Sequence, residues 1–260
     1  MLLYHCVQRI FMPKVALFVP CYINDFYPQV ALSTLQLLQK QGFEVVYPPN
    51  QTCCGQPFLN NGLRHEVVSL AEHFYDKFAS FDYVVAPSSS CISTVKHHYH
   101  DILPKEKADD ITPKVYELCE FLYDVVGIDK LKIDSTFAHR VGLHNSCHSI
   151  RELSLGSASE LNIPHFSKIK EILQKVKDIE VLEPSRDECC GFGGTFSIQE
   201  PEISTIMGKD RIADHKSNDV EFITGVDMSC LMHMDSIAKR DKEDITFIHI
   251  AQILNGDTDV

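Results

Sequence analysis

Two stretches of the chain carry adjacent cysteines followed by glycine: "NQTCCGQPF" (50–58) and "DECCGFGGTF" (187–196). Neighbouring thiols do not readily bridge each other, because a vicinal disulfide closes a strained small ring far from ordinary disulfide geometry. Their chemistry is then thiol–disulfide exchange by the free pair or ligation of a metal, and the lack of a C-x-x-C motif is adverse to exchange. Ten cysteines are present in all. Cys6 falls in the N-terminal tail and Cys119 reads as a small buried apolar residue. The other eight run single, double, single, twice over: Cys21, Cys53–Cys54, Cys91, then Cys147, Cys189–Cys190, Cys230, at intervals of 32 and 37 residues in the first half and 42 and 40 in the second.

Four thiolates hold either a tetrahedral zinc ion or an iron–sulfur cluster. Zinc sites usually take their ligands from close knuckles that wrap one small ion. Here the ligands lie tens of residues apart and two are sequence neighbours, whose sulfur atoms diverge more naturally toward a larger body. The spacing favours iron–sulfur chemistry and leaves zinc open at one of the sites. Gly55, Gly191, Gly193 and Gly194 allow the backbone to approach closely, so that amide N–H groups can point at sulfur.

The residues around the cysteines repeat with them. "KVALFVPC" (14–21) matches "RVGLHNSC" (140–147), a short apolar run consistent with a buried strand that ends on cysteine, and "FDYVVAPSSSC" (81–91) matches "VEFITGVDMSC" (220–230). Between the first strand and the first pair, the spacing predicts a helix carrying Val30, Leu32, Leu35, Leu37 and Leu38, ended by Gly42 and followed by a strand at 43–47. A helix over 63–78 leads to a strand at 83–86. Apolar residues at helical spacing predict closing helices over 115–127 and 247–256. Strand–helix alternation of this kind makes an α/β fold of two tandem repeats, each a mainly parallel sheet flanked by helices, related by pseudo-twofold symmetry. The expected units are an extension at 1–13, a first repeat at 14–135 and a second at 136–260. Ligands in open α/β sheets gather beyond the carboxyl ends of the strands, where these cysteines fall, so each half is expected to gather one four-cysteine site.

Composition narrows the function further. With 260 residues, 44% hydrophobic and 23% charged, the chain can bury a sizeable core. A formal net charge of -12 without a local basic cluster argues against nucleic acid. The longest apolar run, "VALFVP" (15–20), is far too short to span a membrane. The N-terminus lacks a basic n-region and has Arg9 inside its apolar part, so no secretory signal is expected, and Met12 is a candidate start. Ten cysteines without an export signal suggest a reducing, cytoplasmic compartment. His144 and His148 flank Cys147 and are candidates for donating hydrogen bonds near a cluster. The run "KHHYH" (96–100), His233, Asp187 and Glu188 read as polar structure, and neither a dinucleotide fingerprint nor a phosphate-binding loop is present.

"CCGQPFLNNG", "LHNSCHSIRELSLG", "CCGFGGTFSI" and "VDMSCLMHM" resemble the cysteine-rich CCG-domain family, which includes the cysteine-rich subunit of heterodisulfide reductase and iron–sulfur subunits of glycolate oxidase and anaerobic glycerol-3-phosphate dehydrogenase. The resemblance runs from about Lys14 to Gly256 and is strongest to its lactate-utilization members. It implies an iron–sulfur electron-transfer subunit of a cytoplasmic complex oxidising L-lactate to pyruvate, with two other lactate utilization subunits as partners, one a ferredoxin-like iron–sulfur protein. It also implies the ligand sets Cys21, Cys53, Cys54, Cys91 and Cys147, Cys189, Cys190, Cys230. The heterodisulfide reductase pattern has a fifth cysteine in each set, where this chain has Ser88 and Asp227. Four ligands suit an ordinary [4Fe–4S] cluster per half, or one cluster plus zinc. The alternatives are a zinc-stabilised scaffold and a subunit of another 2-hydroxy-acid dehydrogenase of the glycolate type.

Overall fold

A computed structural model describes residues 13–257. Residues 1–12 of the N-terminal extension, with Cys6 and Met12, lie outside the described residues. Eight strands form two four-stranded parallel sheets. The first holds β1 (Lys14–Leu17), β2 (Glu44–Val46), β3 (Tyr83–Ala86) and β4 (Val115–Glu117) in the order β2-β1-β3-β4. The second holds β5 (Arg140–His144), β6 (Glu180–Leu182), β7 (Phe222–Gly225) and β8 (Thr246–His249) in the equivalent order β6-β5-β7-β8. Two tandem α/β repeats of identical strand order are the outcome that parallel strands joined by helical crossovers produce.

The helices follow from the apolar spacing. Pro28–Lys40 starts with proline in its first turn, where no intrahelical donor is needed, and buries Val30, Leu37 and Leu38. Leu32, expected on the same face, is exposed. The helix stops where Gly42 takes a φ of +94°, a left-handed value that glycine adopts without strain. Arg64–Phe78 buries Val67, Ala71, Phe74 and Phe78, one face of a 3.6-residue period.

The two expected closing helices need correction. Residues 115–117 are β4 and only then comes a helical segment, Leu118–Glu120 continuing as a π-helical run Phe121–Gly127. Likewise 246–249 are β8, followed by the helix Ile250–Asn255. Each is a short buried strand running straight into a helix, so the two periods merge into one apolar stretch. The junctions are capped alike. The Glu117 side chain accepts from the Cys119 and Glu120 amides, and His249 Nδ1 accepts from the Ala251 amide at 3.1 Å.

The repeats exchange their closing helices. Ile250–Asn255 packs on Pro28–Lys40, with Asn255 Nδ2 donating to Gln36 Oε1 at 2.6 Å and Lys40 Nζ to the Asn255 carbonyl at 3.1 Å. Reciprocally, the segment after β4 packs on the helix Lys168–Leu173, where Tyr123 donates to Glu171 at 2.9 Å and Lys168 pairs with Asp124 at 2.7 Å.

Candidate functional site

All eight cysteines of the duplicated pattern line one cleft between the repeats. Cys21 opens the helix Cys21–Phe26 just after β1, and Cys91 sits in the helix Ser89–Ser93 after β3, with Ser88 as its N-cap. Cys53 and Cys54 lie in the loop after β2. In the second repeat Cys147 precedes the π-helical turn His148–Glu152, Cys189 and Cys190 follow β6, and Cys230 lies in the first turn of Met228–Asp241. Every one lies beyond the carboxyl end of a strand, and the two expected sites open on a common space.

Within each half the thiols form a chain of electrostatic neighbours in the same order: Cys21 beside Cys53, Cys53 beside Cys54 and Cys54 beside Cys91, with Cys147, Cys189, Cys190 and Cys230 repeating the chain. The second member of each chain is the one whose pKa is most strongly lowered. The neighbouring thiols of Cys21 and Cys54, aided by the Gly55 amide at 3.4 Å, hold the pKa of Cys53 down to about 3. Cys147, Cys190 and the Gly191 amide, also at 3.4 Å, hold Cys189 down to about 2. The neighbouring Cys53 and Cys189 sulfurs and burial push Cys21 and Cys147 up, and Cys54 and Cys190 are pushed up by their thiol neighbours and by burial. Cys230 is lowered to about 7, first by the neighbouring Cys190 thiol and then by the nearby His144 imidazole.

Gly191 is indispensable to this geometry. Its φ is +88°, and a Cβ there would stand 2.6 Å from the Ser204 carbonyl oxygen. His144 is buried, and one of its ring nitrogens lies within 4.8 Å of the sulfur atoms of Cys190 and Cys230, while its Nε2 has no hydrogen-bond partner. His148 bonds Gln56 of the other repeat at 3.0 Å at the cleft wall. Tyr22 and Phe192 close an edge of the cleft with ring centroids 5.8 Å apart. Cys119 is fully buried away from both chains. His233 bonds Ser204, and Tyr99 of "KHHYH" is buried and donates to the Cys54 carbonyl at 3.1 Å.

One feature is not legible in the sequence, where Ser88 and Asp227 stand only as absent cysteines. They meet at the interface of the repeats. Asp227 Oδ1 accepts from Ser88 Oγ at 2.9 Å, Ser90 Oγ at 2.9 Å and the Ser90 amide at 3.2 Å. Asp227 Oδ2 accepts from Ser146 at 2.9 Å and from Ser89. One buried carboxylate thus ties together the segments that carry Cys91, Cys147 and Cys230. The available signal was positional, since both residues stand three before a cysteine at matching places in the repeat.

These donor sets fit a group that takes sulfur ligands: four thiols from each half lining one cleft, an amide N–H aimed at sulfur in each half, and a buried imidazole nitrogen left unpartnered beside the second set. Comparison with known proteins gives the same sense. Lactate utilization protein A of Oceanobacillus iheyensis is 38% identical over 247 residues, 93% of this chain and 96% of that protein. Its namesake in Halalkalibacterium halodurans is 35% identical over 248 residues, and Lactate utilization protein A 1 of Bacillus mycoides is 36% identical over 251. Among solved structures, a putative Asp/Glu racemase from Yersinia pestis aligns over 95% of this chain and 97% of that one with a TM-score of 0.38 and 11% identity, too distant a likeness to carry an argument. The CCG cysteine-rich domain model matches twice, at residues 15–96 and 141–235, and each match spans one thiol chain. The protein belongs to the CCG cysteine-rich domain family.

Proposed function

We propose that this chain is an iron–sulfur electron-transfer subunit of a cytoplasmic complex that oxidises L-lactate to pyruvate, working with two further lactate utilization subunits, one of them ferredoxin-like. The observation that carries the reading is the pair of equivalent four-thiol chains opening on one cleft, in a chain whose relatives are named for lactate utilization. In this reading the working units are the repeats 14–135 and 136–260. Cys21, Cys53, Cys54 and Cys91 hold one cluster, and Cys147, Cys189, Cys190 and Cys230 the other. A bound cluster supplies one-electron capacity at each site. The protein's own residues do the rest: Gly55 and Gly191 donate to sulfur, Asp227 and its serines fix the ligand-bearing segments, and Tyr22 and Phe192 limit water at the cleft edge. The nine described cysteines are unbridged, a state that persists in a reducing compartment. No helix among the described residues is long and apolar enough to cross a membrane.

Anaerobic purification with reconstitution tests the reading. About eight irons and matching labile sulfide per chain, with an EPR signal on reduction, are expected for two [4Fe–4S] clusters. A colourless protein with zinc and no labile sulfide overturns it. A second reading has zinc in the second half, favoured by the proximity of His144 to Cys190 and Cys230, a mixed nitrogen–sulfur set that suits a single tetrahedral ion. It predicts half the iron and one zinc per chain.

A further inference from the structure

The two repeats share a frame but not a wall. Phe18 and His144 occupy equivalent places, each three residues before the first cysteine of its set. Phe74 and Phe78 are the eleventh and fifteenth residues of Arg64–Phe78, and Arg211 and His215 are the eleventh and fifteenth of Pro201–Lys216. The correspondence holds in space. Phe18 packs on Phe74 and Phe78 with ring centroids 5.2 and 5.7 Å apart, and His144 faces His215 at 6.1 Å. All six side chains are buried. Ala16 of β1 is replaced by Gly142 in β5, where a Cβ would lie 2.5 Å from His215 Nδ1, so the strand gives up a methyl to admit the imidazole.

Space-filling alone is met by the phenylalanines of the first half. The polar trio instead leaves His144 Nε2, both ring nitrogens of His215 and Arg211 Nε buried without partners, a costly arrangement in a core. Its consequence at the cysteines is specific. A ring nitrogen of His144 lies within 4.8 Å of the sulfur atoms of Cys190 and Cys230, whereas Phe18 has no polar atom to offer. The nearby guanidinium groups add no net charge: Arg211 is matched by Asp214 at 2.7 Å, and Arg151, the fourth residue after Cys147, is bonded by the Glu160 carboxylate. Asp227 is bonded by both repeats and so acts on both sites.

Hydrogen bonds and positive charge directed at ligand sulfur stabilise the more negative, reduced state of a thiolate-bound redox centre, and an apolar wall disfavours it. We infer that His144 makes the second-half site the stronger electron acceptor of the two, so that an electron on this chain rests in its second half. The inference builds on the iron–sulfur reading. The exchange it describes oxidises the first-half site by one electron and reduces the second-half site by one, with no bond made or broken.

An EPR-monitored redox titration of the reconstituted full chain tests it, after iron and sulfide analysis. Two waves are expected, with Cys21→Ser removing the more negative and Cys147→Ser the more positive. His144→Phe, the first half's own residue, is expected to move the more positive wave down toward the other and leave the other in place. His144→Gln, which keeps an N–H donor, should hold it nearer the wild-type position. Coincident waves, a reversed order, or an equal shift of both waves in His144→Phe overturns the inference. If His144→Phe fails to load, the wild-type order decides. Missing iron, or zinc in the second half, appears in the metal analysis first and overturns the iron–sulfur reading itself.

Discussion

The neighbours within each thiol chain set its members' acidities apart, and that has a consequence in the metal-free protein. Cys53 and Cys189 are lowered well below the ordinary thiol range, while Cys54 and Cys190 are buried and pushed up. The nucleophile in alkylation is the thiolate. Iodoacetamide at pH 6 is therefore expected to label Cys53 and Cys189 ahead of Cys54 and Cys190, as read by peptide mass spectrometry. Equal labelling within each pair contradicts the proton arrangement. Gly191 supports the second chain through its left-handed backbone and its amide, and Gly191→Ala forces a Cβ against the Ser204 carbonyl. A loss of about 1–3 kcal/mol in urea unfolding is expected from the strained backbone alone, together with a weaker hold on metal by the second half.

At the scale of elements, the helix Pro201–Lys216 carries an acid-sensitive group that its counterpart Arg64–Phe78 lacks. Burial lowers His215 to about 3, so between pH 6.5 and 3 the unfolded chain binds a proton that the folded chain refuses. A depressed histidine pKa contributes nothing against unfolding above pH 6.5, and stability falls as the pH drops below it, by about 3 kcal/mol at pH 4 for this residue. His215→Phe, the residue found at the equivalent place in the first repeat, is expected to flatten that part of the stability–pH profile measured by denaturant unfolding. An unchanged slope would mean that the imidazole takes up a proton in place. The elements themselves were legible where one period ran long enough: the burial of Val67, Ala71, Phe74 and Phe78 is written in their spacing. β4 and β8 were hidden because three or four residues of strand run into a helix without a turn residue between them. The capping residues Glu117 and His249 were the local clue, and neither is a usual N-cap type.

For the molecule as a whole, the duplicated pattern gave the two sheets and the convergence of cysteines at strand ends, since both depend on chain order. It gave neither the shared cleft nor the Asp227 knot, because both arise from how the repeats face each other, which no spacing within one repeat encodes. That interface makes the repeats mutually dependent. Each closing segment packs on the other repeat, and Asp227 of the second is bonded by Ser88, Ser89 and Ser90 of the first. Separately expressed fragments 14–135 and 136–260 would each expose the surface meant for the partner's helix, and the second would leave Asp227 without the serine donors of the first repeat that hold its segment in place. Each fragment is expected to be aggregated or poorly structured alone by circular dichroism and gel filtration, and to regain native-like order when co-expressed. In the intact chain, Asp227→Ala removes five hydrogen bonds at once and should lower stability by about 3 kcal/mol or more, whereas Asp227→Asn retains acceptors for part of the set and should cost less. A soluble, cooperatively folding 14–135 fragment would show instead that the repeats are autonomous and the exchanged helices an accessory.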